Sequence, residues 1–221
     1  MTAAPDSALE SDRQRALALT PVSREAAARL DRFVALLLDE QRKINLICKA
    51  SVATLWTRHI ADSLQLLELA PDARLWVDLG SGAGFPGLVL ACALADSPGA
   101  QVHLVESTLK KANFLRQTAN LIGAPVMVHA VRIEDFLKTF GAKPDVVTAR
   151  ALAPLDKLLG LAQPLLEKGA QGLFPKGQDV EHELTQASKY WSFEPVLVPS
   201  KTQPLSRIVC VRSVARRDPK R

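Results

Sequence analysis

Cysteine is scarce in this chain of 221 residues. Cys48, Cys92 and Cys210 lie far apart, and no Cys-x-x-Cys occurs. That argues against a disulfide framework and against a cysteine zinc site. No other metal site is expected. Long apolar runs are missing too: the longest, Leu88 to Ala95, is far short of the ~20 residues that span a bilayer. Met1-Thr2-Ala3-Ala4-Pro5-Asp6 lacks the basic start and apolar stretch of a secretory signal. Neither an internal repeat nor a low-complexity tract is present. A cytoplasmic protein without a membrane partner is expected.

What is there is a globular composition. With 48% hydrophobic and 23% charged residues, disorder along the whole chain is excluded. The length suits one large domain, or one domain with an extension. The net charge of +5 suggests an anionic partner. Arg207, Arg212, Arg216, Arg217, Lys220 and Arg221 crowd the end, with Asp218 the single acid among them. A solvated tail and a phosphate-binding tail both fit that run.

Residues 1–20 are polar, Ala-rich and weakly patterned, suited to a frayed lead or a short helix. From Ser23, a plausible N-cap, Leu30, Phe33, Val34, Leu37, Gln41 and Ile44 recur at helical spacing. A second helix is expected from Ser51, burying Leu55, Trp56, Ile60, Leu64 and Leu67 and ending at Pro71. Then β-rich runs alternate with helical ones. Strands are expected at 75–79, 101–106, 125–130, 145–149 and 172–175, with helices through 95, through 122, over 155–167 and over 179–190. The last two β-like runs, 195–199 and 207–211, have no helix between them and should be antiparallel. The expected fold is α/β and Rossmann-like: a seven-stranded, mostly parallel sheet with helices on both faces. The expected organisation is a helical extension over 1–70, a ligand-binding domain over 71–214 and a basic tail over 215–221.

The strongest local signal is Val77-Asp78-Leu79-Gly80-Ser81-Gly82-Ala83-Gly84-Phe85-Pro86-Gly87, between the first strand and a helix. Glycine permits a sharp turn and close approach to a ligand. The helix N-terminus supplies unpaired N–H groups, and Pro86 suits the first helical position. A dinucleotide fingerprint can be forced onto Gly82-x-Gly84-x-x-Gly87, although late in the turn. An acid followed by Gly-x-Gly-x-Gly reads more naturally as an adenosyl-amino-acid site, with Asp78 steering the ammonium. Glu106, ending the second strand, could accept bonds from two ribose hydroxyls. Ile133 and Glu134, after the third strand, could contact an adenine or simply start a helix.

The run from Asp78 to Gly87 resembles the signature of the bacterial 16S ribosomal RNA guanine-N7 methyltransferases, the RsmG or GidB (glucose-inhibited division protein B) family. The similarity runs from about Leu30 to Arg212. Its other marks are Asn45-Leu46, Arg58-His59-Ile60-x-Asp62-Ser63-Leu64, Glu106-Ser107-x-x-Lys110-Lys111, Thr148-Ala149-Arg150-Ala151 and Lys176-Gly177. The resemblance implies a class I methyltransferase of the S-adenosylmethionine-dependent kind, with cofactor contacts at Gly80, Phe85, Glu106, Ile133, Glu134 and Arg150; Gly82 joins them from the glycine turn. It also implies methylation of the guanine customarily numbered 527, in 16S rRNA of the 30S subunit. Ile47 stands where the family often has threonine, so no role for that hydroxyl carries over.

Guanine N7 has a free lone pair, so no general base is required, and no catalytic residue is assigned. RNA-binding candidates are Arg58 and His59 on the second helix, Lys110 and Lys111 at a helix start, Lys176 after the fifth strand, and Arg216 and Arg217 in the tail. His103 and His129, inside strands, read as packing residues. A monomer is expected. Two other readings stay open: a nicotinamide-dependent oxidoreductase, and a non-catalytic ribosome-binding assembly factor of the same fold.

Overall fold

The computed structural model describes residues 5–217. Two helices lead: α1 (Pro5–Leu19) and α2 (Arg24–Glu40). A broken helical stretch follows, made of a 3-10 turn (Lys49–Thr54), a π-helical turn (Trp56–Ala61), the short α3 (Asp62–Leu64) and a second 3-10 turn (Gln65–Leu69). Alternation then sets in: β1 (Leu75–Leu79), α4 (Gly87–Leu94), β2 (Gln101–Val105), α5 (Leu109–Ile122), β3 (Val126–His129), α6 (Ile133–Thr139), β4 (Val146–Thr148), α7 (Leu155–Glu167), β5 (Gln171–Lys176) and α8 (Val180–Ala187). Four strands end the chain: β6 (Trp191–Phe193), β7 (Val196–Pro199), β8 (Arg207–Val211) and β9 (Val214–Arg216).

The main sheet has the order β3-β2-β1-β4-β5-β8-β7. Its first five strands are parallel, while β8 runs antiparallel to both β5 and β7. These are the seven expected strands. The chain order reverses between β1 and β4, which opens a crevice at the carboxyl ends of β1, β2 and β4. Successive β1 side chains go to opposite faces. Trp76 joins α2, α4 and α5 on one face, and Val77 joins α6, α7 and α8 on the other.

α4 is apolar all round, and every residue but Ala93 is buried. Its outer cover is α2, whose Leu30, Phe33 and Leu37 share one core with Leu88 and Leu90. Full burial of such side chains contributes about 1.5–3 kcal/mol each. The N-terminal helices are thus built into the core of the sheet domain.

Three sequence expectations change and one alternative is decided. Of the two readings for the N-terminal stretch, the helix holds: α1 is regular over 15 residues. It is held by polar contacts that hydrophobic periodicity cannot reveal. Asp12 accepts from the Thr57 backbone N–H at 3.0 Å, from the Thr57 hydroxyl and from Arg15, and Arg13 grips Asp31 with two bonds of 2.6 and 2.8 Å. The second helix keeps its inward residues but is broken, with its middle wound as a π-turn. Pro86 stands one residue before α4, not inside it. Finally, β6 and β9 were not foreseen. They pair as a separate antiparallel ribbon, so Ala215 and Arg216 belong to a strand and not to a loose tail. Asp218 to Arg221 lie outside the described residues.

Asp12 yields a stability prediction. Burial works to raise its pKa, but the bonds from Thr57 and Arg15 outweigh it and hold the carboxyl below its ordinary value. A lowered carboxylate stabilises the fold above its unfolded value, near 3.9, and loses that contribution as pH falls through the folded value. Asp12→Ala should therefore lose about 1–3 kcal/mol at pH 7, leaving the Thr57 N–H unpaired. The gap to the parent chain in denaturant titrations should narrow below about pH 4. A gap independent of pH would refute the assignment.

Candidate active site

Strand β1 delivers Asp78 to the crevice edge but not into the crevice. The carboxylate is buried, accepting from the Gly87 N–H at 3.1 Å and from the Thr148 hydroxyl at 3.0 Å. It ties β1 to β4 and to the start of α4. Gly87 is required there because a Cβ would sit 2.7 Å from Asp78 Oδ2. Desolvation pushes the Asp78 carboxyl up to about 6 against the pull of its hydrogen bonds. The expectation that Asp78 steers a ligand's ammonium is therefore corrected: it does not line the cavity.

Past β1 the chain turns through Gly80 and Ser81, whose N–H groups both donate to Val105 O, at 2.9 and 3.0 Å. Gly82 has φ +57°, and a Cβ built there would meet only Gly80 O at 3.8 Å, so its open side looks into free space. Glu106 closes the opposite wall. One carboxylate oxygen accepts from the Gly82 N–H at 3.0 Å and the other from the Thr108 N–H at 2.7 Å. The cavity of about 460 Å3 is lined by all seven expected cofactor residues: Gly80, Gly82, Phe85, Glu106, Ile133, Glu134 and Arg150. That volume lies within the roughly 300–1,000 Å3 of small-molecule sites. Gly84 and Gly87, needed for the dinucleotide register, do not line it.

Arg150 follows β4 and carries a relay unseen in the sequence. It donates to His59 Nδ1 at 2.8 Å. That makes Nδ1 an acceptor and leaves the proton on Nε2, 3.1 Å from Ser51 Oγ. Ser51 in turn donates to Cys48 O at 2.7 Å. The chain of donors fixes His59 as one neutral tautomer. Burial, helped by the nearby charges of Arg150 and Arg58, pushes its pKa down to about 3. The ring stacks on Phe85 with centroids 4.8 Å apart, and the Arg150 guanidinium lies 5.1 Å from the same phenyl ring. Burial disfavours the Arg150 charge, whereas Asp62 at 3.4 Å supports it. Gln41, read as a helix position, accepts from the Leu46 and Ile47 N–H groups and so sets a turn on the cavity wall.

A second cavity, of about 1,010 Å3, shares His59, Arg150 and Ala151 to Ala153 with the first and adds Arg58, Lys176, Gln203, Leu205 and Arg207. Its outer wall is the β7–β8 loop, where Thr202 donates to Asp62 at 2.9 Å and the Lys201 N–H donates to Gln65 at 2.9 Å. Asp62 thus joins Arg150 to Thr202, which lies 140 residues beyond Asp62 in the chain.

The RNA candidates divide. Arg58 is exposed beside the second cavity. Lys111 lines the first and Lys110 is exposed next to it; neither makes a hydrogen bond or ion pair among the described residues. His59 serves Arg150. Lys176 lines the second cavity, with its largely buried ammonium donating to Glu183 at 2.7 Å and to Ala153 O at 2.8 Å. Arg216 and Arg217 sit elsewhere, against Trp191. His103 and His129 stack with ring nitrogens 2.8 Å apart, beside Phe136 and Phe140, as packing residues. Among the described residues no cluster of His, Cys, Asp and Glu could hold a metal, and no helix is long and apolar enough to cross a membrane.

The raised Asp78 carboxyl has a testable sign. The folded chain holds that proton more tightly than the unfolded one. This stabilisation is fully present below the ordinary value of 3.8 and is lost as pH rises towards about 6. The stability of the parent relative to Asp78→Asn should therefore fall across that interval in denaturant titrations. A flat difference would show that the group is not shifted.

Comparison with known proteins gives the ancestry. The chain is 57% identical over 208 residues to a "Ribosomal RNA small subunit methyltransferase G" of Bradyrhizobium sp., covering 94% of both chains. It is 55% identical over 208 residues to the protein of that name from Nitrobacter hamburgensis, covering 94% of this chain and 80% of that one. Among solved structures it resembles the O-methyltransferase TomG from Streptomyces achromogenes in complex with SAM: TM-score 0.60, 14% identity, 96% and 100% coverage. An O-methyltransferase from Bacillus cereus in complex with SAH is similar at TM-score 0.60 and 13% identity, with 94% and 99% coverage. At such identities the likeness is one of fold. The family model "GidB: rRNA small subunit methyltransferase G" matches residues 26–209, and the chain belongs to that family.

Proposed function

We propose that this protein transfers a methyl group from S-adenosylmethionine to N7 of a guanine in small-subunit ribosomal RNA, at the customary position 527. The observation that carries the reading is the pair of joined cavities meeting at Arg150. One has the size and lining for an adenosyl-amino acid, and the other is open and flanked by cations.

S-adenosylmethionine, when bound, supplies an activated methyl group on a sulfonium. The open side of Gly82 and the apolar Ile133 fit a flat nucleoside. Glu106 retains acceptor capacity for ribose hydroxyls beyond the two backbone bonds that it makes. Arg150 supplies a fixed positive charge suited to a carboxylate. Phe85, under both Arg150 and His59, excludes water from that end. The guanine would enter through the second cavity, between Ala151–Pro154 and the β7–β8 loop, with Arg58 and Arg207 near its phosphates. N7 needs no deprotonation, so the work of these residues is positioning and electrostatic. Assembled 30S subunits as the substrate, a monomeric enzyme and a cytoplasmic site of action fit this reading.

The nicotinamide alternative lacks its glycines: Gly84 and Gly87 face Leu88 and Asp78. Calorimetry should detect S-adenosylmethionine and not NAD. Methyl transfer to small-subunit rRNA or 30S subunits, with chemical mapping of the product, tests the whole reading and separates it from a non-catalytic assembly factor. Gly82→Asp should abolish cofactor binding while the fold persists, because aspartate tolerates a left-handed backbone better than most residues. Glu106→Ala should weaken the cofactor by about 1–3 kcal/mol; equal affinity in either folded variant would reject the placement.

Single-turnover methylation should vary little between about pH 6.5 and 8.5, because His59, at about 3, does not titrate there. His59→Gln should leave the shape of that profile unchanged. A steep rise with pH that vanishes in this variant would count against N7 chemistry.

A further inference from the structure

On the flank of α7 lies a groove of about 660 Å3 that shares no lining residue with the two cavities. Its lining is Asp156, Lys157 and Gly160 of α7 together with Lys189, Tyr190, Trp191, Arg216 and Arg217. Four cations thus face one acid.

The groove is built. Trp191 is buried, and its indole N–H donates to Asp156 O at 2.8 Å. Gly160 lets the indole lie close to the helix, since a Cβ there would be only 3.3 Å from the ring. Arg216 covers the indole with its guanidinium 5.9 Å from the ring centre. Arg217 is pinned twice, its N–H to Tyr190 O at 2.8 Å and its Nε to Trp191 O at 3.1 Å. The β6–β9 ribbon therefore presents two arginines in fixed positions. Beside them Tyr190 is 58% exposed, a large fraction for the chain's one tyrosine. Lys157 is exposed, with no hydrogen bond or ion pair among the described residues, and Lys189 reaches only Gln186.

We propose that this groove is a second RNA-contact site, taking a single-stranded stretch whose base stacks on Tyr190 and whose phosphates meet Lys157, Lys189, Arg216 and Arg217. Cations set around an exposed aromatic ring are the means by which proteins hold single strands without reading their sequence. An acidic protein surface would use the cations but has no need of the ring. The groove lies near the catalytic edge: Ala153 lines both cavities, and Asp156, three residues on, lines the groove. One RNA could then be gripped on both sides of its target base. The inference rests on the proposed rRNA substrate, which the test can judge separately.

The test is binding of a protein-free small-subunit rRNA transcript over a range of salt, with wild-type methyl transfer measured alongside. Lys157→Ala/Lys189→Ala leaves the core untouched. It should weaken binding and flatten the log–log salt slope by roughly 0.7 for each phosphate no longer neutralised. Tyr190→Ala should weaken binding about tenfold, and Tyr190→Phe should restore it. S-adenosylmethionine titrations should not change in any variant. Unaltered affinity and slope in variants of an active wild type would overturn the groove alone. Weaker binding to assembled subunits but not to protein-free rRNA would assign the groove to a ribosomal protein instead. A wild type that neither binds nor methylates either protein-free rRNA or 30S subunits would overturn both proposals.

Discussion

The Asp78 carboxylate, buried where the strand order reverses, holds the N–H of Gly87 and the hydroxyl of Thr148. Those two bonds lock β1, β4 and the first turn of α4 together. Everything in the crevice is placed from there. The loop between Asp78 and Gly87 has both ends fixed on one side chain, so Gly80, Gly82 and Phe85 have little freedom. Thr148, two residues before Arg150, fixes where that guanidinium starts. The cost is a carboxyl that burial pushes towards protonation, offset by those hydrogen bonds. Such a group stabilises a geometry more than it stabilises a fold.

Charge in the site is arranged with similar economy. Arg150 is a largely buried cation, and its donors go to His59, to the Arg58 carbonyl and to Asp62. Burial, with the nearby charges of Arg150 and Arg58, keeps His59 neutral, and it serves as a spacer against Phe85. Asp62 extends the arrangement to Thr202, so the wall of the second cavity and the cation of the first share one carboxylate.

Much of this was legible in the sequence. The alternation of β-rich and helical runs reveals the five parallel strands, because strands buried on both faces read as short apolar runs, and the missing helix between the last two runs reveals the antiparallel pair. The glycine turn and Glu106 are found by type and order and Arg150 through the family resemblance, and Gly80, Gly82, Glu106 and Arg150 line one cavity. The rest was hidden for physical reasons. β6 and β9 have three residues each and pair across the length of a strand hairpin, with no local period to betray them. The attachment of α1 through Asp12 and Arg13 is polar and distant in sequence. At Asp78 the sequence misleads, because an acid before glycines looks the same whether it faces a ligand or its own backbone; only the N–H of Gly87, nine residues on, decides. Lys176 looked like a surface cation, and its pairing with Glu183 depends on how α8 packs. The neutrality of His59 follows from burial in the folded chain and from a partner 91 residues away.

The main sheet ends at β3 on one side and β7 on the other. Each has four residues, and each lies next to proline: Pro125 before β3, and Pro195 before and Pro199 within β7. Proline has no N–H to offer, and a short edge gives a foreign strand few groups to pair with. Val196, 63% exposed on β7, would otherwise be an adhesive spot. The sheet therefore makes a poor template for the strands of partly folded polypeptides.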